Sequence, residues 1–180
     1  MPVSSSTQSG MALLVSLVFL LLLSLLGLAS MDSAVQQEKM TGSVLHANHS
    51  FQAAETALRS GESWVSVHWS GVSDCRSPVR CAPPAEVRSQ KSSGMHPISG
   101  IHWLPVVDGL YGVQSLGLSI TATHLPVTTS TRLYRVTGIG MHGQSRTVLE
   151  SILAHYQDLD GEDAETGPRR LNRVMWRQIQ

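Results

Sequence analysis

Cys75 and Cys81 are the only cysteines in the chain, with Pro78 at the middle of the short segment between them. In an oxidising compartment such a pair forms a disulfide and fixes a small surface loop; in a reducing one both remain thiols. A loop this short adds about 2 kcal/mol in the chain-entropy description. Two cysteines make only half a zinc site, and no second Cys or His pair at ligand spacing completes it. The eight histidines are scattered. His46 and His49 lie three apart on one helical face, with no carboxylate or third ligand beside them in sequence, so solvated helix surface is the expectation. The stretch Asp158–Glu165, DLDGEDAE, lacks the ligand alternation and the closing bidentate Glu of a calcium loop. It reads as an acidic, exposed linker. There is no nucleophile elbow, no HExxH and no phosphate-binding glycine loop. No enzyme, cofactor or metal is expected. With 13 basic and 13 acidic residues and no net charge, direct nucleic-acid binding has no electrostatic basis across the chain.

The last residues, RRLNRVMWRQIQ, are locally basic through Arg169, Arg170, Arg173 and Arg177. Leu171, Val174 and Met175 fall on one helical face. The segment reads as a frayed terminal extension, or as a surface for a partner, for anionic lipid or for the chain's own Asp158–Glu165 stretch.

The elements that must carry these residues begin with an apolar run. Met11 to Ala29, MALLVSLVFLLLLSLLGLA, holds no charge, and only Ser16 and Ser24 are polar. At about 1.5 Å per residue, a helix of that length spans the roughly 30 Å hydrocarbon core of a bilayer. The run is membrane-inserted at some stage, as a cleaved signal with a small-residue site ending at Ser30, as a signal anchor, or as a membrane helix that continues beyond the bilayer. The preceding MPVSSSTQSG has no Lys or Arg, unlike an ordinary secretory signal.

Downstream the pattern stays helical. No proline occurs between Val3 and Ser77. Val44, Phe51, Ala54 and Leu58 share one stripe, while Glu38, Lys39, Glu55 and Arg59 lie off it. Gly61 reads as the helix stop, and Gly27 and Gly42 as weak points. One helix is therefore expected from Met11 to Ser60, apolar all round in its first half and amphipathic in its second, with the second half docked on a globular domain. In that domain Ser, Thr, Val, Gly and Pro favour short strands. Thr131–Ile139 and Arg146–Ala154 form the best hairpin, joined through Gly140-Met141-His142-Gly143. Ile101–Val107 and Leu116–Ala122 are weaker strands. The fold class is α+β: a long N-terminal helix packed on a small antiparallel sheet.

Three stretches resemble the type IV pilins, and among them the PilX-type minor pilins. A hydrophilic leader ends in Gly10 directly before the apolar run. Gln37–Gly42 and Phe51–Glu62, QEKMTG and FQAAETALRSGE, are similar to the PilX segment after the membrane helix. Leu133–Gly138 with Val148–Ser151 is similar to the strand pair that closes the PilX globular domain. The resemblance implies a pilin-like fold. Its parts would be a prepilin leader (1–10), an assembly half of the helix (11–30), an amphipathic half (31–61), a periplasmic globular domain (62–157), and an acidic linker with a basic tail (158–180). It implies cleavage between Gly10 and Met11 by a prepilin peptidase and N-methylation of Met11. It further implies an inner-membrane, single-pass subunit that moves to the pilus tip. The implied partners are other minor pilins, the major pilin, a tip adhesin and the inner-membrane assembly platform, with membrane lipid before assembly. Two departures stand out: the leader lacks a basic residue, and Val15 occupies the fifth place after Gly10, where major pilins carry a glutamate. The reading that results is a non-catalytic minor pilin that primes pilus assembly. The alternative is a periplasmic binding or sensor domain on a signal anchor.

Overall fold

The structure is a computed structural model, and it describes residues 9–120, 130–157 and 169–179. The leader before Ser9 and the acidic stretch Asp158–Glu165 lie outside the described residues. The chain divides into two compact units, one up to Val44 and one from Leu45 to Gln180. A single helix, α1 (Ser9–His68), contributes to both.

In the first unit α1 is apolar on all sides from Met11 to Met31, and its leucines are exposed. Among the described residues α1 is the one helix long and apolar enough to cross a membrane. The Ser16 hydroxyl donates to the Leu13 carbonyl at 2.8 Å, so this polar group needs no partner outside the helix.

In the second unit the remainder of α1 lies on a six-stranded antiparallel meander. The strands are β1 (Gly94–Met95), β2 (His102–Val106), β3 (Gly109–Ser119), β4 (Thr131–His142), β5 (Ser145–Gln157) and β6 (Arg169–Gln178), in sheet order β1-β2-β3-β4-β5-β6. Because side chains alternate across a strand, β4 serves two cores. Tyr134 and Val136 join Leu149 and Leu153 against Ala54, Leu58 and Val65 of α1. Ile139 faces the other way, with Val148, Leu110, Trp103, Ile101 and Val87. The second core is covered by the segment between α1 and β2, which contains the short helix α2 (Pro78–Cys81) and the 3-10 turn Ala85–Arg88. Where α1 ends, the Tyr134 hydroxyl donates to the Trp69 carbonyl at 2.7 Å.

The helix meets the sheet at backbone distance. A Cβ added to Gly138 would lie 2.6 Å from the Ala54 carbonyl oxygen and 2.7 Å from the Leu58 nitrogen, and one added to Gly140 would collide with the Ser50 carbonyl and the Ala54 amide. Glycine in a strand interior costs conformational entropy, and here it is the condition for this close approach. Gly61 contributes from the helix side: a Cβ there would come within 2.5 Å of Val136 Cγ1.

This corrects the expectation that Gly61 stops the helix. α1 runs on through it to His68, because packing against β3 and β4 offsets the propensity cost of about 1 kcal/mol. The expected β4–β5 hairpin is present with longer strands. Gly140, Met141 and His142 belong to β4, and only Gly143 and Gln144 form the turn. The strand expected at Leu116–Ala122 instead begins at Gly109, and residues 121–129 are outside the described set. The C-terminal segment is neither frayed nor helical: it is β6, paired along β5 from Gln157↔Arg169 to Leu149↔Gln178. The register shifts between Ile152↔Met175 and Leu153↔Arg173, leaving Val174 as an extra residue. That bulge breaks the period-two pattern and leaves a spacing that resembles a helical face.

Candidate assembly helix

The residues of the expected α1 packing stripe lie in different surroundings. Ala54 and Leu58 are buried, Phe51 is half-buried against the same core, and Val44, in the first unit, is 53% exposed. Met11 and Val15 are exposed in the first unit. From Met11 to Met31 the helix carries no Asp, Glu, Lys or Arg. What this surface offers is apolar area, without acid–base or ionic chemistry.

Polar groups at a few points fasten the second half of α1 to the sheet. Ser50 and Thr147 share a hydrogen bond of 2.8 Å between their hydroxyls. Glu62 accepts from the Ser151 hydroxyl at 2.6 Å and from Arg173 through Nε at 2.9 Å and Nη2 at 2.5 Å. The two-pronged Arg173 contact ties β6 directly to α1. On the other sheet face Glu150 is fully buried beside two arginines. Arg177 donates to its Oε1 through Nε at 3.0 Å and is ion-paired through Nη2 at 2.8 Å. Arg135 Nε lies 3.2 Å from Oε2 without hydrogen-bonding geometry. Burial lowers the Arg135 pKa, the Glu150 charge works against that, and Arg177 adds to the lowering. Arg135 also donates to the Cys81 carbonyl at 2.7 Å.

Cys75 and Cys81 are joined in a disulfide with a Cα–Cα distance of 5.3 Å. The segment entering it is pinned to β3: the Cys75 amide donates to the Ser115 carbonyl at 2.9 Å, and the Ser115 hydroxyl donates to Asp74 at 2.5 Å. Asp74 is also ion-paired with Arg132. The Ser115 hydrogen bond holds the Asp74 carboxyl below the ordinary range; partial burial opposes this, and Arg132 and Arg76 reinforce it.

The structure adds a third ring to His46 and His49. His142, at the end of β4, lies 5.2 Å from His46 and 4.6 Å from His49 between ring centroids, stacked on the latter. Among the described residues no group of three or more His, Cys, Asp or Glu side chains is set to hold a metal ion.

The sequence gives no role to Glu62 or Glu150 and offers Arg173 and Arg177 only as part of a basic terminal surface, because charges this far apart in the chain meet only once the strands are in register. Gly138 and Gly140 did carry a signal: two glycines at one-residue spacing inside an apolar strand mark close backbone approach.

In a comparison with protein-family models, residues 9–59 match the PilX N-terminal family. No curated protein and no solved structure gives a match. The matched stretch covers the apolar run and the part of α1 from Ser50 to Leu58 that packs on β4 and β5. Over that stretch the chain is similar to PilX-type type IV pilins, and one long helix, apolar in its first part and packed on an antiparallel sheet through its last part, is a pilin-like α+β arrangement.

Proposed function

We propose that this pilin is a minor subunit that primes type IV pilus assembly and sits at or near the pilus tip. The observation that carries the reading is Val15. Where the resembling major pilins place a glutamate for a neighbour's N-terminal amine, this helix has an apolar side chain. The subunit can offer its own amine to a neighbour's acid and has no acid to offer in return. That asymmetry suits the leading end of a fibre and disfavours repeated self-addition. A lone carboxylate inside the bilayer costs about 2.5–3.5 kcal/mol on insertion scales, and this chain is spared that cost.

On this reading the mechanism is non-catalytic helix packing. Prepilin peptidase cuts between Gly10 and Met11, and Met11 is N-methylated. The apolar half of α1 waits in the inner membrane with the globular unit in the periplasm. It then leaves lipid to pack among the helices of other minor pilins and the major pilin, with the assembly platform and a tip adhesin as further partners. Quantitative mass spectrometry of sheared fibres tests this: copy number far below the major pilin is expected, together with loss of surface fibres on deletion. A copy number equal to the major pilin overturns the tip assignment. Intact mass of the membrane-extracted chain separates the alternative, because a signal-anchored periplasmic domain keeps residues 1–10.

A further inference from the structure

The second unit carries a cleft of about 520 Å³ beside the disulfide loop, between the Asp74–Arg76 segment and the start of β2. We propose that it binds the C-terminus of a partner polypeptide, with an apolar last side chain and a free terminal carboxylate.

The first support is the edge of β3. On this edge β2 pairs only up to Leu104↔Tyr111, and the next contact is the bridge Asp74↔Ser115. Val113 lies between them and lines the cleft. The Ser115 carbonyl points to this edge, since it accepts from the Cys75 amide. Backbone groups in an antiparallel strand repeat direction every second residue, so the Val113 N–H and C=O face the same way, toward the gap. A peptide main chain matches that donor–acceptor pair; a small organic acid does not.

The second support is the lining. Trp64, Val72, Leu104 and Val113 are half-buried and apolar, suited to one aliphatic or aromatic side chain. The charged and titratable groups around them are Asp74, Arg76, Arg80 and His102. Asp74 is already engaged by Ser115 and Arg132. The Arg80 guanidinium lies beside Gly100, and no carboxylate among the described residues pairs with it. Arg76 and Arg80 both sit on the loop that the Cys75–Cys81 bond closes. The Arg80 carbonyl is further held by Gln114 Nε2 at 2.6 Å. The loop therefore presents two positive charges at the rim of an apolar floor, beside the part of the β3 edge that β2 does not pair. This is the chemistry of terminal-carboxylate capture combined with strand pairing.

The test uses the full chain in detergent micelles and fluorescein-labelled hexapeptides ending in Leu, Val or Phe, each as free acid and as amide. Fluorescence anisotropy is expected to show binding of at least one free acid. Its amide should bind at least about tenfold more weakly, a difference of roughly 1.4 kcal/mol. Arg80→Gln should give a similar loss with an unchanged melting temperature, since this side chain is exposed, and octanoate should not compete. Equal binding of acid and amide, undiminished binding by Arg80→Gln, competition by octanoate, or no peptide binding at millimolar concentration would each overturn the proposal. No pilus is present in this assay, so its failure leaves the minor-pilin reading untouched.

Discussion

At Gly140 the absence of a single carbon decides how close α1 comes to β4, because the helix backbone at Ser50 and Ala54 occupies the space a Cβ would need. Neither backbone can yield as the end of a long side chain would. Gly140→Ala is expected to destabilise the second unit by about 1–3 kcal/mol or more, seen as a lower melting temperature. Gly42→Ala, where nothing lies within 4 Å, should leave that temperature unchanged or raise it. Asp74 has a signed pH effect. Its carboxyl is held below the ordinary range, chiefly by the Ser115 hydroxyl. Its contribution is therefore complete above the unfolded value of about 3.9 and is lost as pH falls through the lowered folded value. Asp74→Asn should be less stable than the parent at pH 7, and the difference between the two melting temperatures should shrink as pH falls through the lowered folded value.

Among the elements, β6 closes one edge of the sheet. It pairs with the outer edge of β5 from Leu149 to Gln157 and brings Arg173 to Glu62 and Arg177 to the buried Glu150. Removing residues 169–180 would expose a long apolar edge and leave Glu150 with Arg135 alone. Taking one partner from a buried ion pair costs about 3–5 kcal/mol, and a bare edge strand invites aggregation. The expected outcome of this deletion is an insoluble or unfolded second unit, read by circular dichroism and light scattering. Retention of a cooperative melting transition near that of the parent would show β6 to be dispensable. α1 behaves differently along its length: from Met11 to Met31 it is a surface of exposed apolar side chains, and from Ser50 to Val65 one face of it is a packed wall of the core.

Taken as a whole, the molecule separates a membrane-compatible helix segment from a domain with its own two cores. A fragment of residues 45–180 is therefore expected to fold without detergent and to melt within a few degrees of the parent, and failure to do so would show that the first unit supports the fold. The sequence by itself determined the features that depend on local pattern. An uncharged run from Met11 to Ala29 has one stable environment. The spacing of Phe51, Ala54 and Leu58 places one helical face inward. The β4 and β5 runs are apolar enough to pair, and two cysteines with a proline between them suit a closed loop. Only the tertiary structure decided what depends on meeting across distance. It turned Gly61 from a helix stop into a contact, because β3 and β4 lie against it. It made a strand of the C-terminal segment, where the bulge at Val174 hides the alternation and the β5 edge supplies the missing hydrogen bonds. It also joined Glu62, Glu150, Arg173 and Arg177, because opposite charges far apart in the chain have no local reason to pair until the register of the sheet brings them together.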